Sequence, residues 1–160
     1  MKNLLSIAII TLFFATLSCT HNNTYYNQLK NDKAFVSRIL DLNKTFDEIR
    51  IEEKGSLIKE DLHLLEFVYN IGKSDTYIVS YLFDEKGCYE IGIDGYFEFE
   101  KDAIDVVSGI QKEMNESKYG LGTDDNNLKR WKSEDQSISI ELDCKGTARG
   151  LFLATIFANE

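Results

Sequence analysis

Hydrophobic positions along this chain fall into three regimes: a nearly continuous apolar run at the start, stretches with helical spacing, and short runs that alternate. The first regime follows Lys2 and extends from Leu4 to Leu17, interrupted only by Ser6, Thr11 and Thr16. As a helix it would rise ~21 Å, against the ~30 Å of a bilayer core. A positive residue, a short apolar run and small residues before a cut site predict a secretory leader, residues 1–18, rather than a membrane span.

The stretch "NDKAFVSRILDLN" offers Asn31 and Asp32 as helix caps and sets Phe35, Val36, Ile39 and Leu40 on one helical stripe, which predicts a first helix. Alternation then takes over. "FDEIRIEEKG" predicts a strand with Ile49 and Ile51 inward, and "DLHLLEFVYNI" and "DTYIVSYLF" predict two more. After a "DEKG" turn at 84–87, "CYEIGIDGYFEF" predicts a fourth, with Tyr89, Ile91 and Ile93 on one face and Glu90 and Asp94 on the other. "KDAIDVVSGIQKEMN" aligns Ala103, Val106, Val107, Ile110 and Met114 as the buried stripe of a second helix, which the glycines of "KYGLG" end. A polar "TDDNN" loop leads to "LKRWK", and "SISIELDC" and "GLFLATIF" close the chain as strands. The order α-β-β-β-β-α-β-β-β with short links predicts an α+β fold: an antiparallel sheet of about six to seven strands with two helices packed on one face.

The leader ends in "ATLSC", with Ala15, Thr16, Leu17 and Ser18 before Cys19. This segment resembles the signal of bacterial lipoproteins, although that family most often has Leu where Thr16 stands. The resemblance implies cleavage before Cys19 and acylation of its sulfur, and it covers the first nineteen residues alone. Several acyl chains would hold a protein at a bilayer almost permanently. It also implies residence at the cell membrane or outer membrane, facing the periplasm or exterior. Residues 19–28 then form the lipidated cysteine and a polar tether, and residues 29–160 a single domain. The domain resembles small envelope proteins only in a generic way that names no family.

Removal of Lys2 with the leader leaves 17 basic residues against 27 acidic ones, a net charge of −10 over 142 residues. Such a surface repels phosphate backbones, which argues against nucleic acid. No nucleotide-binding or zinc motif occurs, and the two histidines, His21 and His63, stand alone. These patterns predict no metal, no cofactor and no catalytic residue. Asp124 and Asp125 read as a solvated turn rather than a calcium loop. Cys88 and Cys144 would share an oxidising compartment, which permits a disulfide, while strand parity speaks against one. "TYIVSYLF" and "GLFLATIF" are apolar on both faces, so Tyr77, Tyr81, Phe83 and Phe152 form a candidate partner surface. Together these features predict a lipid-anchored, non-enzymatic binding domain of the bacterial envelope with a protein partner. A carrier of a small apolar ligand and a hydrolase with an unrecognised carboxylate site remain the alternatives.

Overall fold

The computed structural model describes residues 24–159. The leader, Cys19 and His21 lie outside the described residues. Among those described, no helix is long and apolar enough to cross a membrane.

Among the described residues, eight strands join one antiparallel sheet in the order β1-β2-β3-β4-β8-β7-β6-β5. The first meander comprises β1 (Ser56–Asp61), β2 (Leu64–Ile71), β3 (Asp75–Asp84) and β4 (Gly87–Tyr96). The second comprises β5 (Thr123–Asp125), β6 (Leu128–Lys132), β7 (Ile138–Asp143) and β8 (Leu151–Ala158), and β4 pairs with β8 at the centre. Before the first meander come α1 (Tyr25–Asp32), the one-turn α2 (Phe35–Arg38) running into a 3-10 turn, and α3 (Phe46–Glu52). The long helix α4 (Glu100–Glu116) precedes the second.

The α+β class and the single antiparallel sheet stand as expected, with eight strands and more helical segments than anticipated. "FDEIRIE" is helix rather than strand. Thr45 accepts from the Glu48 amide while the Glu48 side chain returns to the Thr45 amide, a reciprocal cap that starts α3. The first strand lies instead at Ser56–Asp61. Helix α1 starts within the stretch expected as tether, packs on α4 and buries Leu29. Phe35 and Ile39 are buried while Leu40 is exposed, since the helical stripe breaks into separate turns there.

The core lies between the sheet and the helices. Ile91, Ile93, Phe152, Ala154 and Ile156 of the central strands meet Ala103, Val106, Val107, Ile110 and Met114 of α4, the stripe its spacing predicts. The carboxylates of α4 also hold the preceding helices. Asp105 accepts from the Tyr26 amide at 3.0 Å, and Glu113 accepts from the Val36 amide at 3.1 Å and from the Tyr26 hydroxyl. These groups satisfy amides that a helix start leaves without an internal partner.

Two of the glycines at close approaches seat the amino-terminal segments. A Cβ on Gly109 would lie 2.0 Å from the Tyr26 ring, so α1 docks against bare α4 backbone. Gly87, at φ 124°, admits the 43–44 loop, whose backbone pairs with Cys88 through two 2.8 Å hydrogen bonds. Ala at an unhindered helix position stabilises by about 1 kcal/mol over Gly. Gly109→Ala should instead destabilise by about 1–3 kcal/mol, through overpacking against Tyr26. The same change in a Tyr26→Ala background should regain the stabilising sign, as chemical denaturation of all four proteins would reveal.

Candidate functional site

The sheet has two unlike faces. On the covered face, β2 and β3 point Tyr69, Tyr77 and Tyr81 under α1, α2 and α3. Tyr77, Tyr81, Phe83 and Phe152, the expected partner surface, are therefore buried, which corrects their assignment to an exposed surface. Both faces of these strands are apolar because they are central, and the large aromatics took the covered side.

The tyrosine hydroxyls end in a charged network that no local spacing in the sequence announces. Arg38, fully buried, donates from Nη1 to Glu53 Oε1 at 3.0 Å and to the Tyr81 hydroxyl at 2.8 Å. Tyr81 donates to Glu53 at 2.6 Å, and Tyr69 also bonds Glu53. The Arg38 guanidinium lies over the Tyr69 ring, 5.4 Å from its centre, and Tyr69 stacks on Tyr77 at 4.6 Å. Tyr77 donates to Asp32 at 2.9 Å. Buried Asp41 receives Lys33 at 2.6 Å and Lys44 at 2.8 Å. Among the described residues, Arg38 Nε and Nη2 have no hydrogen-bond partner. Beside the network opens a cleft of about 310 Å³ lined by Asp32, Lys33, Glu52, Glu53, Lys54 and Tyr69. Lys33, Arg38 and Lys44 face buried Asp41 and Glu53 and the more exposed Glu52, so the charges of the cluster balance, as in a structural clamp.

Among the described residues, no helix covers the opposite face. Register aligns its residues in rows: Leu64, Leu82, Glu90 and Phe157; then Glu66, Ser80, Gly92 and Thr155; then Val68, Ile78, Asp94 and Leu153. Most are half-buried, and Tyr96 and Leu153 are exposed. Strands β2, β3, β4 and β8 contain no Lys or Arg, so Glu66, Glu90 and Asp94 are the charges of this central face. Half-burial, with the negative Glu66 second, pushes the Asp94 carboxyl above its ordinary range. Among the described residues, no hydrogen-bond donor reaches the side-chain carboxylate of Glu66 or Asp94. A cleft of about 260 Å³ at the edge of this face is lined by Asp94, Tyr96, Asp143, Lys145, Arg149 and Leu153.

Cys88 and Cys144 are free thiols. Cys88 starts β4, beyond the Glu90–Phe157 pair, and Cys144 follows β7, beyond the Asp143–Leu153 pair. They thus lie at opposite ends of the sheet, ~20 Å apart along the strands, and a bridge needs Cα atoms within ~7 Å. A bulge opposite Leu82 and Phe83 turns Tyr89 outward and Cys88 into the core. Burial pushes the Cys88 thiol up to about 12. His63 is exposed in the β1–β2 turn. Asp124 and Asp125 form hairpin ion pairs with Lys129 at 3.0 Å and Arg130 at 3.2 Å. Among the described residues, no group of three or more metal-ligating side chains could hold an ion.

Burial alone would raise the Glu53 carboxyl, but Arg38 and the two tyrosine hydroxyls outweigh it and hold it below its usual range. A lowered carboxyl contributes stability that is present above its unfolded value of about 4.3 and is lost as pH falls through the folded value. Thermal unfolding followed below about pH 4.5 should therefore fall more steeply in the native protein than in Glu53→Gln. At neutral pH, Arg38→Met should cost about 3 kcal/mol by leaving buried Glu53 with Lys33, 3.4 Å away, as its remaining cation. Comparison of the chain with protein-family models, with curated proteins and with solved structures returns no match.

Proposed function

We propose that this chain is a lipid-anchored, non-enzymatic binding domain of the bacterial cell envelope. Acylation of Cys19 holds it at the cell membrane or outer membrane, facing the periplasm or exterior, and the open face of its sheet receives a protein partner. The lipoprotein-like leader supports the anchor. The observation that carries the binding role is the open face itself: half-exposed Leu64, Val68, Ile78, Leu82, Leu153 and Phe157 around Glu66, Glu90 and Asp94. An aliphatic surface whose four central strands carry carboxylates and no cation, with Lys59 of β1 opposite Glu66 at its margin, fits a partner that presents Lys or Arg among apolar side chains. Filled packing between sheet and helices disfavours a carrier of an apolar ligand, because that role needs an enclosed pocket. One observation favours the second reading, a hydrolase: the Asp94 carboxyl is raised, by burial first and by the negative Glu66 two strands away second. These two carboxyls have no neighbouring nucleophile or base bonded to them among the described residues, so the binding role is preferred.

A photoreactive side chain at Ser80, in the middle of the face, should capture one discrete protein in intact cells. The same group at Lys112, on the outer side of α4, should not. Replacing Asp94 with Asn and Glu66 with Gln should reduce the Ser80 adduct severalfold, and the adduct should fade as pH falls into the carboxylate range. Intact mass of the native protein should start at Cys19 and include fatty acyl chains. Adducts equal at both positions, or unchanged by the two substitutions, would remove the open face from the function.

A further inference from the structure

We propose that the cleft where β4, β7 and β8 meet the β7–β8 connection binds a dipeptide-sized zwitterion, its ammonium over the sheet and its carboxylate toward the connection. This binding is independent of the anchor and of the partner at the centre of the face. The cleft holds about 260 Å³, which admits a small molecule but not a helix ~10 Å across.

Register builds the acidic half of the cleft. Asp94 of β4 and Asp143 of β7 both pair with Leu153 of β8, so the three side chains stand in one row on the open face. The carboxylates flank an exposed leucine on backbones ~10 Å apart, two strand spacings. Tyr96, further along the same face of β4, is 46 % exposed and walls the cleft. The basic half stands beyond the strand ends, where Lys145 and Arg149 of the connection line the same cavity. That connection is fixed in place. Asp143 Oδ1 accepts from the Lys145 amide at 2.8 Å, and Thr147 Oγ1 donates to the Cys144 carbonyl at 2.9 Å. The Gly150 carbonyl accepts from the Phe97 amide at 2.8 Å. Gly150 itself sits at φ 74°, where a Cβ would meet the Phe97 carbonyl oxygen at 2.0 Å.

The charges in this cleft do not pair with one another. Among the described residues, the Lys145 and Arg149 side chains make no hydrogen bond or ion pair, and no cation reaches Asp94 or Asp143. Elsewhere on the surface facing charges do close, with Lys129 on Asp124 at 3.0 Å, Arg130 on Glu141 at 2.8 Å and Arg50 on Glu60 at 3.1 Å. Here Leu153 and the fixed connection hold opposite charges apart across one cavity. A lone anion would meet two carboxylates, and a lone cation would meet two basic groups. A molecule with one charge of each sign at its two ends satisfies both sets. Its length follows from the strands: the Asp94 row lies ~7 Å from the last residue of β4, and an extended dipeptide spans at most ~7 Å. A single α-amino acid carries both charges on one carbon and is too short. The groups between the two ends then lie over Leu153 and against the Tyr96 ring. Partial burial without a cation raises the Asp94 carboxyl, and an arriving ammonium lowers it again.

The test uses the whole protein as cells produce it, isotopically labelled in non-ionic detergent, with alanyl-alanine as probe and amide resonances as readout. The probe should shift the Gly95, Gly146 and Leu153 resonances along one saturable curve at millimolar concentration and leave Ser80 unmoved. Acetylating its amino end, amidating its carboxyl end, or shortening it to alanine should each weaken binding about tenfold, the loss of one charged contact. Asp94→Asn should weaken alanyl-alanine but not its N-acetyl form, and Arg149→Gln should weaken alanyl-alanine but not its amide. A general loosening of the fold would weaken all forms alike. No saturable shift at the cleft, or equal binding of free and blocked probes, overturns the proposal. Tighter binding of glycerophosphoethanolamine, the zwitterion of a lipid headgroup, overturns the assignment to a peptide.

Discussion

A buried guanidinium organises the amino-terminal half of this fold. Helices of four to eight residues do not persist alone in water, and α1, α2 and α3 are all of this kind. Arg38 on α2 reaches Glu53, just past α3, and both meet Tyr81 on β3, while Tyr69 on β2 closes over them. Removing one partner from such a cluster leaves a charge in a medium that cannot solvate it, so its members are held together more strictly than apolar groups would be. Lys33 and Lys44 then close Asp41 from the outside. The result ties three short helices to two strands in one geometry, and fixes which face of the sheet is covered.

That constraint also explains which parts of the architecture were legible along the chain. Helix α4 was legible because seventeen residues with one apolar stripe admit a single period. Strands β3, β4 and β8 were legible as apolar runs of strand length. Residues 46–52 were not, because Ile49 and Ile51 alternate over too short a window to separate strand from helix. The deciding signal was the Thr45-x-x-Glu48 cap immediately before them. Parity on β4 failed at one bulge, which sent Cys88 inward and Tyr89 outward.

The site was harder to read than the fold for a related reason. Arg38, Glu53 and Tyr81 are separated by stretches that contain whole elements, so only the folded chain brings them together. The open face has the same property. Glu66, Ser80, Gly92 and Thr155 form a row by register across four strands, and no spacing within any one strand reveals it. Two-sided hydrophobicity of the central strands did mark an unusual sheet. Which side held the aromatics depended on the tyrosine hydroxyls, which found charged partners beneath the helices and left smaller aliphatic groups outside.

The edges of the sheet narrow how a partner could engage it. An exposed edge invites strand addition unless it is short or charged. Here β5 has three residues, two of them Asp124 and Asp125, and β1 carries Lys59, Glu60 and Asp61 with an irregular register after Leu57. Arg50 of α3 bonds Glu60 from the covered side and occupies that edge further. Both edges are thus poor templates for another strand. The central rows carry the opposite character, with aliphatic groups spaced around unpaired carboxylates on strands that are fully hydrogen-bonded to their neighbours. Recognition through side chains on the face, rather than through backbone at the edge, is what this division of charge favours.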